Sequence, residues 1–286
     1  MTSSKFQILV PSDFSEQSVS AFYQSCRIAK IYNADITVLH VIEDEQAALQ
    51  QNNISSKEEL LYQIDKKIKK IVEEEQEISK NIVSCRIEIG QVAGQIIRVQ
   101  KELHFDMIVM GFNELKNEQH KDIGSNTMEV LKQAPCQVVA VKHKINSGDF
   151  KSIILPLDLA KPYHKKVDKA IELAKAWAGA VVTIISVLPV CDDLKVNAAT
   201  HHLAGIVKEI EKNNIVCNSE IIRRIKGHES MAEIVVDYAQ RIKSEMVMIM
   251  TQHERGNANR LGLAAQNIIN KIEIPMFSIV PLVNQN

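Results

Sequence analysis

Short apolar runs alternate with amphipathic stretches along the first half of the chain. Between the runs, apolar residues recur every three or four positions, as on one face of a helix. The alternation predicts strands and helices in turn, which is typical of a parallel sheet covered by helices on both faces. The five predicted strands are residues 6–11, 35–41, 83–89, 107–110 and 136–141.

The same pattern begins again in the second half. Residues 152–158 (SIILPLD) repeat ILVPSD of the first half, which aligns Asp158 with Asp13 at an offset of 145 residues. Gly227 aligns with Gly90 at an offset of 137, so the spacing stays nearly constant. This is a tandem duplication with small insertions and deletions, and it predicts two similar domains. We expect a first domain at residues 1–145, a second at residues 150–286, and a linker within residues 143–151.

Charge and composition exclude several classes of protein. The 286 residues carry 34 basic and 35 acidic side chains, a net charge of −1 that argues against a nucleic-acid partner. No apolar run nears the roughly 18 residues of a membrane span, and Asp13 comes too early for a signal peptide. The five cysteines form no CxxC pair, as expected of reduced thiols. We therefore expect a cytoplasmic protein with no membrane or nucleic-acid partner.

Residues 106–127, DMIVMGFNELKNEQHKDIGSNT, carry the best candidate for a binding site. A buried strand ends at Gly111, residues 113–122 are polar and predicted to be a loop, and Gly124 and Ser125 precede a helix. Glycines tolerate positive φ and let an anion approach the backbone, while the helix N-terminus offers unpaired N–H groups. The layout predicts a phosphate cradle. The alternative is that Gly111 relieves a tight strand exit and Ser125 only caps the helix.

Asp13 is the second candidate. In a doubly wound sheet, ligands bind beyond the carboxyl ends of the strands, where the winding direction reverses. If the reversal lies between the first and fourth strands, Asp13 and Gly111 face one crevice, and Asp13 can accept hydrogen bonds from a ribose. The alternative is a turn residue that bonds its own backbone.

Several segments of the first copy resemble a universal stress protein domain: ILVPSDFSEQS, DITVLHV, DMIVMG and GSNTMEVLKQAPCQVVAV. The resemblance covers nearly the whole chain, twice, as in tandem members of that family. It implies two Rossmann-like, doubly wound α/β domains, each with a five-stranded parallel sheet of order 3-2-1-4-5. It also implies a cytoplasmic protein with a role in stress tolerance and, in one branch of the family, ATP binding.

The ATP-binding branch carries Gly, two residues, Gly, nine residues, Gly, then Ser or Thr. The first and last glycines and the hydroxyl are present, whereas Glu114 stands where the middle glycine belongs. A carboxylate there is expected to repel a triphosphate, unless Mg²⁺ bridges the two. ATP, with or without Mg²⁺, is the implied cofactor, and Val41 would contact its adenine through the backbone. The resemblance implies a site made of Pro11, Asp13, Val41, Met110, Gly111, Gly124, Ser125 and Asn126.

The second copy departs further from the motif. Met250 stands for the first glycine, and Ala264 and Ala265 stand for the Gly-Ser pair. We therefore expect one adenine nucleotide per chain, bound in the N-terminal domain. Arg255 and Arg260 remain in the second loop, which either holds another anion or is an ordinary flexible loop.

Two functional hypotheses follow, and neither is an enzyme. The motifs GxSxG, GxxxxGK[ST], SGGxDS and HxGH are missing, and no general base stands beside the phosphate loop, so any ATP hydrolysis is expected to be slow. The first hypothesis is a regulatory module whose nucleotide occupancy sets an interaction with a partner or subunit. The second is a nucleotide-free scaffold with a decayed site.

The last strand of each copy suggests how the copies associate. Residues 136–141 and 276–281 are apolar and would lie at sheet edges in the implied order. Bare edge strands pair with other chains, and internal pairing removes that hazard. We therefore predict an intramolecular pseudo-dimer of the two domains, with homo-oligomerisation as a further expectation.

Overall fold

The computed structural model describes residues 5–75, 82–112, 114–117, 120–142, 150–189, 193–224, 230–251 and 261–280. The chain divides into two compact units, residues 1–148 and 149–286. The division falls in the predicted linker, of which residues 143–149 lie outside the described residues. Within the described part of the chain, no helix is long and apolar enough to cross a bilayer.

Strands and helices alternate through the first unit, domain 1, as the apolar pattern predicts. Its elements are β1 (Gln7–Pro11), α1 (Glu16–Tyr32), β2 (Asp35–Ile42), α2 (Glu45–Gln51), α3 (Lys57–Glu75), β3 (Val83–Ile89), α4 (Val92–Leu103), β4 (Met107–Gly111), β5 (Glu114–Asn117), β6 (His120–Ile123), α5 (Ser125–Gln133) and β7 (Gln137–Val141).

The second unit, domain 2, repeats this order with fewer elements. Its elements are β8 (Ser152–Pro156), α6 (His164–Ala176), β9 (Val181–Pro189), α7 (Asp193–Glu211), β10 (Cys217–Arg224), α8 (Met231–Arg241), β11 (Met246–Met250), α9 (Leu263–Lys271) and β12 (Met276–Ile279).

Both domains have the predicted sheet. The strand order is β3-β2-β1-β4-β7 in domain 1 and β10-β9-β8-β11-β12 in domain 2, and the neighbours within each run parallel. Counted along each copy, this is 3-2-1-4-5, so the predicted fold class is confirmed. The winding reverses between β1 and β4, and between β8 and β11. The intramolecular pseudo-dimer stays a prediction.

Local sequence signals account for the helix that follows β1. Ser15 is the N-cap of α1, and its hydroxyl accepts a hydrogen bond from the amide of Ser18. The helix ends at Asn33, whose φ of 49° is left-handed and whose N–H donates to the carbonyl of Ala29. The inward face of α1 is buried on the sheet and includes Phe22 and Cys26. These signals fix where the first turn of α1 stands beside the ends of the strands.

The segment predicted to be a polar loop contains a β-hairpin. β5 and β6 form an antiparallel ribbon in which Glu114 pairs with Ile123 and Lys116 with Lys121. Composition alone predicted a loop, and that prediction was wrong, because antiparallel backbone pairing needs no run of apolar side chains. The ribbon brings residue 114 back beside the start of α5.

Candidate functional site

A cleft of about 800 Å³ opens at the carboxyl ends of β1, β2 and β4. The strand order explains its position, because β1 lies between β2 and β4 and the winding reverses there. The cleft brings together every residue that the sequence suggested for the site: Pro11, Asp13, Val41, Met110, Gly111, Gly124, Ser125 and Asn126.

The N-terminus of α5 forms one wall of this cleft. Gly124 is its N-cap, and among the described residues no side chain caps the amides of the first turn. Thr127 is buried, with its hydroxyl oxygen 3.5 Å from the carbonyl oxygen of Gly111, which ties α5 to the end of β4. Unpaired amides at a helix N-terminus attract an anion through direct hydrogen bonds and the helix dipole.

Two reasons were expected for a glycine at position 124, a positive φ and the absence of a β-carbon, and only the second applies. Gly124 has φ −51° and ψ 139°, a conformation open to any L residue, so the expected positive φ is absent. What remains is the missing β-carbon, which leaves the backbone amides of the cradle open to a close ligand.

Gly111 has a packing role beyond the expected approach of an anion. A β-carbon at this position would lie 2.4 Å from the carbonyl carbon of Gln17 and 2.6 Å from the amide nitrogen of Ser18. The end of β4 therefore packs directly on the backbone of the first turn of α1. This supports the alternative drawn from the sequence, a tight strand exit, while the backbone of Gly111 still lines the cleft.

Asp13 combines the two roles that the sequence left open. Its Oδ1 accepts hydrogen bonds from the Ser15 hydroxyl at 2.5 Å and the Ser15 amide at 3.0 Å, so it stabilises its own turn. Burial raises the pKa of Asp13, but the hydrogen bonds from Ser15 and Ser18 outweigh it and bring the pKa below 3.8. The carboxylate is therefore ionised at neutral pH and lines the cleft as an acceptor.

Three further residues of the cleft escaped the sequence analysis. Phe14 has φ 66°, a left-handed conformation that is strained for an aromatic residue. Its ring stacks on His40 with 4.7 Å between centroids, and the Nζ of Lys67 lies 5.7 Å from its centroid. The only sequence signal was a histidine within the apolar run DITVLHV; nothing marked Phe14 or Lys67.

His40 is neutral in this setting. Burial lowers its pKa; the Ser12 carbonyl and the charge of Asp13 raise it in part, Lys67 lowers it further, and the net pKa lies below 6.5. The Nδ1 atom lies 2.7 Å from the Ser12 carbonyl oxygen, which can only accept, so Nδ1 carries the proton. The unprotonated Nε2 is left as the acceptor of the ring.

Domain 2 has a smaller cleft at the matching place. About 570 Å³ lies at the carboxyl ends of β8, β9 and β11, lined by Asp158 and Met250 among others. The Oδ1 of Asp158 accepts from the Ala160 amide at 3.1 Å, and its Oδ2 pairs with the Nζ of Lys161 at 2.9 Å. Burial raises the pKa of Asp158, but Lys161 and the Ala160 amide outweigh burial and bring the pKa below 3.8.

The position at which α9 begins corrects the alignment of the second copy with the Gly-Ser pair of the first. The N-cap of α9 is Gly262, with φ −64° and ψ 142°, nearly the geometry of Gly124. Gly262 is thus the counterpart of Gly124, and Leu263 that of Ser125; the match to Ala264 and Ala265 was two residues too far. The error arose in the loop between strand and helix, where spacing gives no fixed register. Arg255 and Arg260, the residues of this loop that could hold another anion, lie outside the described residues.

No metal site emerges in the described part of the chain. There, no group of three or more His, Cys, Asp or Glu residues is arranged to hold a metal ion. His202, on α7, has its Nε2 2.8 Å from the Tyr163 hydroxyl, which makes it a member of a surface cluster.

Comparisons with known proteins identify one family. The model of the universal stress protein family matches twice, over residues 6–142 and 149–279. A putative universal stress protein of Staphylococcus aureus (strain USA300) is 26% identical over 166 residues, which are 55% of this chain and 96% of that one.

Two solved structures resemble the whole chain. A universal stress protein from Archaeoglobus fulgidus DSM 4304 has a TM-score of 0.72 at 17% identity, over 97% of this chain and 99% of that one. A putative universal stress protein from Pseudomonas aeruginosa UCBPP-PA14 has a TM-score of 0.68 at 15% identity, over 98% and 94%. At these identities the two structures show a shared fold.

Proposed function

The chain belongs to the universal stress protein family, and from that premise we propose that domain 1 binds one adenine nucleotide and acts as a regulatory module in the stress response. The observation that carries the proposal is the single cleft that gathers all eight residues matched to the ATP-binding branch. ATP is the proposed ligand, and its occupancy would set an interaction with a partner or subunit.

The described residues suit the parts of ATP in the following way. The phosphates lie at the N-terminus of α5, where the amides after Gly124 and the Ser125 hydroxyl supply donors. The ribose hydroxyls donate to the ionised Asp13, which follows the carboxyl end of β1. The adenine lies against the backbone of Val41, at the end of β2.

Slow or absent hydrolysis fits this arrangement. His40 is the neutral base in the cleft, but it stands on β2, two strands away from β4 and the phosphate loop. Two strand spacings amount to about 10 Å, too far for a general base to activate water at the phosphates. We therefore propose a module that responds to nucleotide binding instead of turning nucleotide over.

Two observations favour the alternative, a nucleotide-free interaction protein. Packing against Gln17 is enough to explain Gly111, and a turn with Ser15 is enough to explain Asp13. Neither residue then needs a ligand. The uncapped start of α5 and its open cleft have no such explanation, which is why nucleotide binding remains the first proposal.

Native mass spectrometry of the protein as purified, followed by calorimetry with ATP and Mg²⁺, separates the two functions. Our proposal predicts one nucleotide mass per chain, or saturable binding of added ATP with one site. Ser125→Ala should weaken that binding about tenfold or less, since it removes one hydrogen bond. No heat of binding and no bound mass at millimolar ATP would favour the scaffold.

A further inference from the structure

The hydrogen-bonded ladder between β1 and β2 stops one step short of the cleft in domain 1. Its last bond runs from the amide of Ser12 to the carbonyl of Leu39, at 2.8 Å. In a parallel ladder, the next bonds would join the Val41 amide to the Ser12 carbonyl and the Phe14 amide to the Val41 carbonyl. Neither bond is formed among the described residues. Both backbone groups of Val41 therefore lack the partners that a longer β1 would give them.

The groups that would have paired with Val41 are bound elsewhere. The Nδ1 of His40 donates to the Ser12 carbonyl at 2.7 Å, and the amide of Phe14 donates to the Ser12 hydroxyl at 3.3 Å. The ring of Phe14 stacks on the imidazole, with 4.7 Å between centroids, and holds it in this position. His40 thus occupies the acceptor that the Val41 amide would otherwise use.

The other neighbour of β2 does not use the backbone groups of Val41 either. The amide of Ile36 donates to the Ile82 carbonyl at 3.0 Å, and the Ile42 carbonyl accepts from the Gly90 amide at 2.9 Å, so the even-numbered residues of β2 pair with β3. Successive residues of a strand direct their backbone groups to opposite neighbours, so those of Val41 point toward the end of β1. Val41 lines the cleft and, in the described part of the chain, presents an unpaired donor and an unpaired acceptor to it.

A donor beside an acceptor on one strand edge is complementary to the Watson–Crick edge of adenine. The N1 atom of adenine accepts a hydrogen bond, and its N6 amino group donates one. Guanine in the same orientation presents the reverse, an N1–H donor and an O6 acceptor, which sets one oxygen against the Val41 carbonyl. Backbone groups left unpaired in a closed site cost free energy, so the arrangement favours a base that pairs with both.

We propose that His40 is a positioning residue for adenine recognition. By holding the Ser12 carbonyl, its imidazole keeps β1 from pairing with the last residues of β2, which leaves the amide and carbonyl of Val41 for N1 and the N6 amino group. The inference rests on the proposed nucleotide binding in domain 1. It adds to that site a residue outside the eight that were matched through the family.

The first test needs no nucleotide. Amide hydrogen exchange, followed by NMR in the ligand-free chain, should be fast at Val41 and slow at Leu39, which lies inside the ladder. His40→Phe keeps a ring against Phe14 but removes the donor, so the Val41 amide should pair with the released carbonyl and exchange about tenfold or more slowly. His40→Asn, whose side-chain amide can replace Nδ1, should keep the fast exchange. Slow exchange at Val41 in the wild type, or unchanged exchange in folded His40→Phe, overturns the inference.

The second test compares ATP with purine riboside 5′-triphosphate, which lacks the N6 amino group. Calorimetry of the wild type should show about tenfold tighter binding of ATP, because the analogue leaves the Val41 carbonyl unpaired. In His40→Phe this affinity ratio should fall toward one, whereas His40→Asn should keep the wild-type ratio. A general loosening of the cleft would weaken both ligands equally and leave the ratio unchanged, and circular dichroism checks that each variant is folded.

The outcomes separate this inference from the function on which it rests. If the wild type binds no ATP, the proposed function and the role of His40 both fail. If it binds ATP but does not distinguish it from the analogue, Val41 does not recognise the amino group and the inference alone is overturned. The same holds if the wild type distinguishes the two ligands and folded His40→Phe keeps the full ratio.

Discussion

At the end of its fourth strand, domain 1 has Gly111 and domain 2 has Met250, and the neighbouring helix differs with them. In domain 1, α1 begins at Glu16 and its first turn packs on Gly111. At the same offset of 145 residues, α6 would begin at residue 161, but it begins at His164. The helix in domain 2 has lost most of a turn where the strand gained a side chain. A glycine in a binding loop can therefore be required by packing against a neighbouring helix as well as by a ligand.

The matching carboxylates differ too. Asp158 forms an ion pair with Lys161. Asp13, in contrast, forms no ion pair with a lysine or arginine in the described part of the chain, and Ser15 holds only its Oδ1. A carboxylate without an ion pair has more acceptor capacity left for hydroxyl donors than one that is paired with a lysine. The two copies share their strand order but differ in the pairing of this carboxylate.

Replacing Gly111 of domain 1 with methionine, the residue at the matching position of domain 2, should have the largest effect on stability. Gly111→Met is expected to destabilise domain 1 by about 3 kcal/mol, because its β-carbon overlaps the backbone of Gln17. Far-UV circular dichroism in urea should show an early transition, while Trp177 fluorescence, which reports domain 2, should keep its midpoint.

The control for this variant is another glycine. A β-carbon at Gly205 would meet no described atom within 4 Å, so Gly205→Ala should not destabilise the chain and can add up to about 1 kcal/mol as a helix substitution. If Gly111→Met unfolds at the same urea concentration as the wild type, the first turn of α1 does not depend on a glycine at position 111.

Restoring the missing glycine of the motif should have the next largest effect. Glu114 begins β5 and pairs with Ile123, immediately before Gly124, so its backbone lies close to the cradle. A carboxylate about 4 Å from a phosphate costs roughly 1 to 4 kcal/mol in surface-like dielectrics. Glu114→Gly should therefore tighten ATP binding about tenfold or more in calorimetry.

Glu114→Gln separates the charge from the β-carbon in this experiment. If charge repulsion dominates, Glu114→Gln should show most of the tighter ATP binding that is expected of Glu114→Gly. ADP should then bind the wild-type protein nearly as well as ATP. Weaker Mg-ATP binding by Glu114→Gly would instead identify the carboxylate as a metal ligand.

The smallest expected effect is on pH dependence. The folded pKa of His40 lies below 6.5, so its contribution to stability is present above pH 6.5 and is lost as the pH falls through the folded value. His40→Gln should flatten the decline in unfolding free energy between about pH 6.5 and 5. The exposed His201→Gln should keep the wild-type slope, and equal slopes for all three proteins would refute the assignment.

The strands could be predicted because apolar runs reflect burial. The eight candidate residues were matched through the resemblance, and the structure places them at strand ends and at the start of α5. It could not predict features set by chain segments that meet only in the folded structure. The left-handed φ of Phe14 and its stack with His40 and Lys67 depend on three separate elements. The match of Gly262 to Gly124 needed the helix start, because a loop of variable length hides the register.

The measurement that tests the central claim most directly is the number of ATP sites per chain in wild type, Gly124→Val and Gly262→Val. Both variants put the same side chain at the N-cap of matching helices, and neither position has positive φ, so both should fold. We predict one site in wild type, no site in Gly124→Val and one unchanged site in Gly262→Val. Two sites in wild type, or loss of the site in Gly262→Val alone, would contradict the assignment of nucleotide to domain 1.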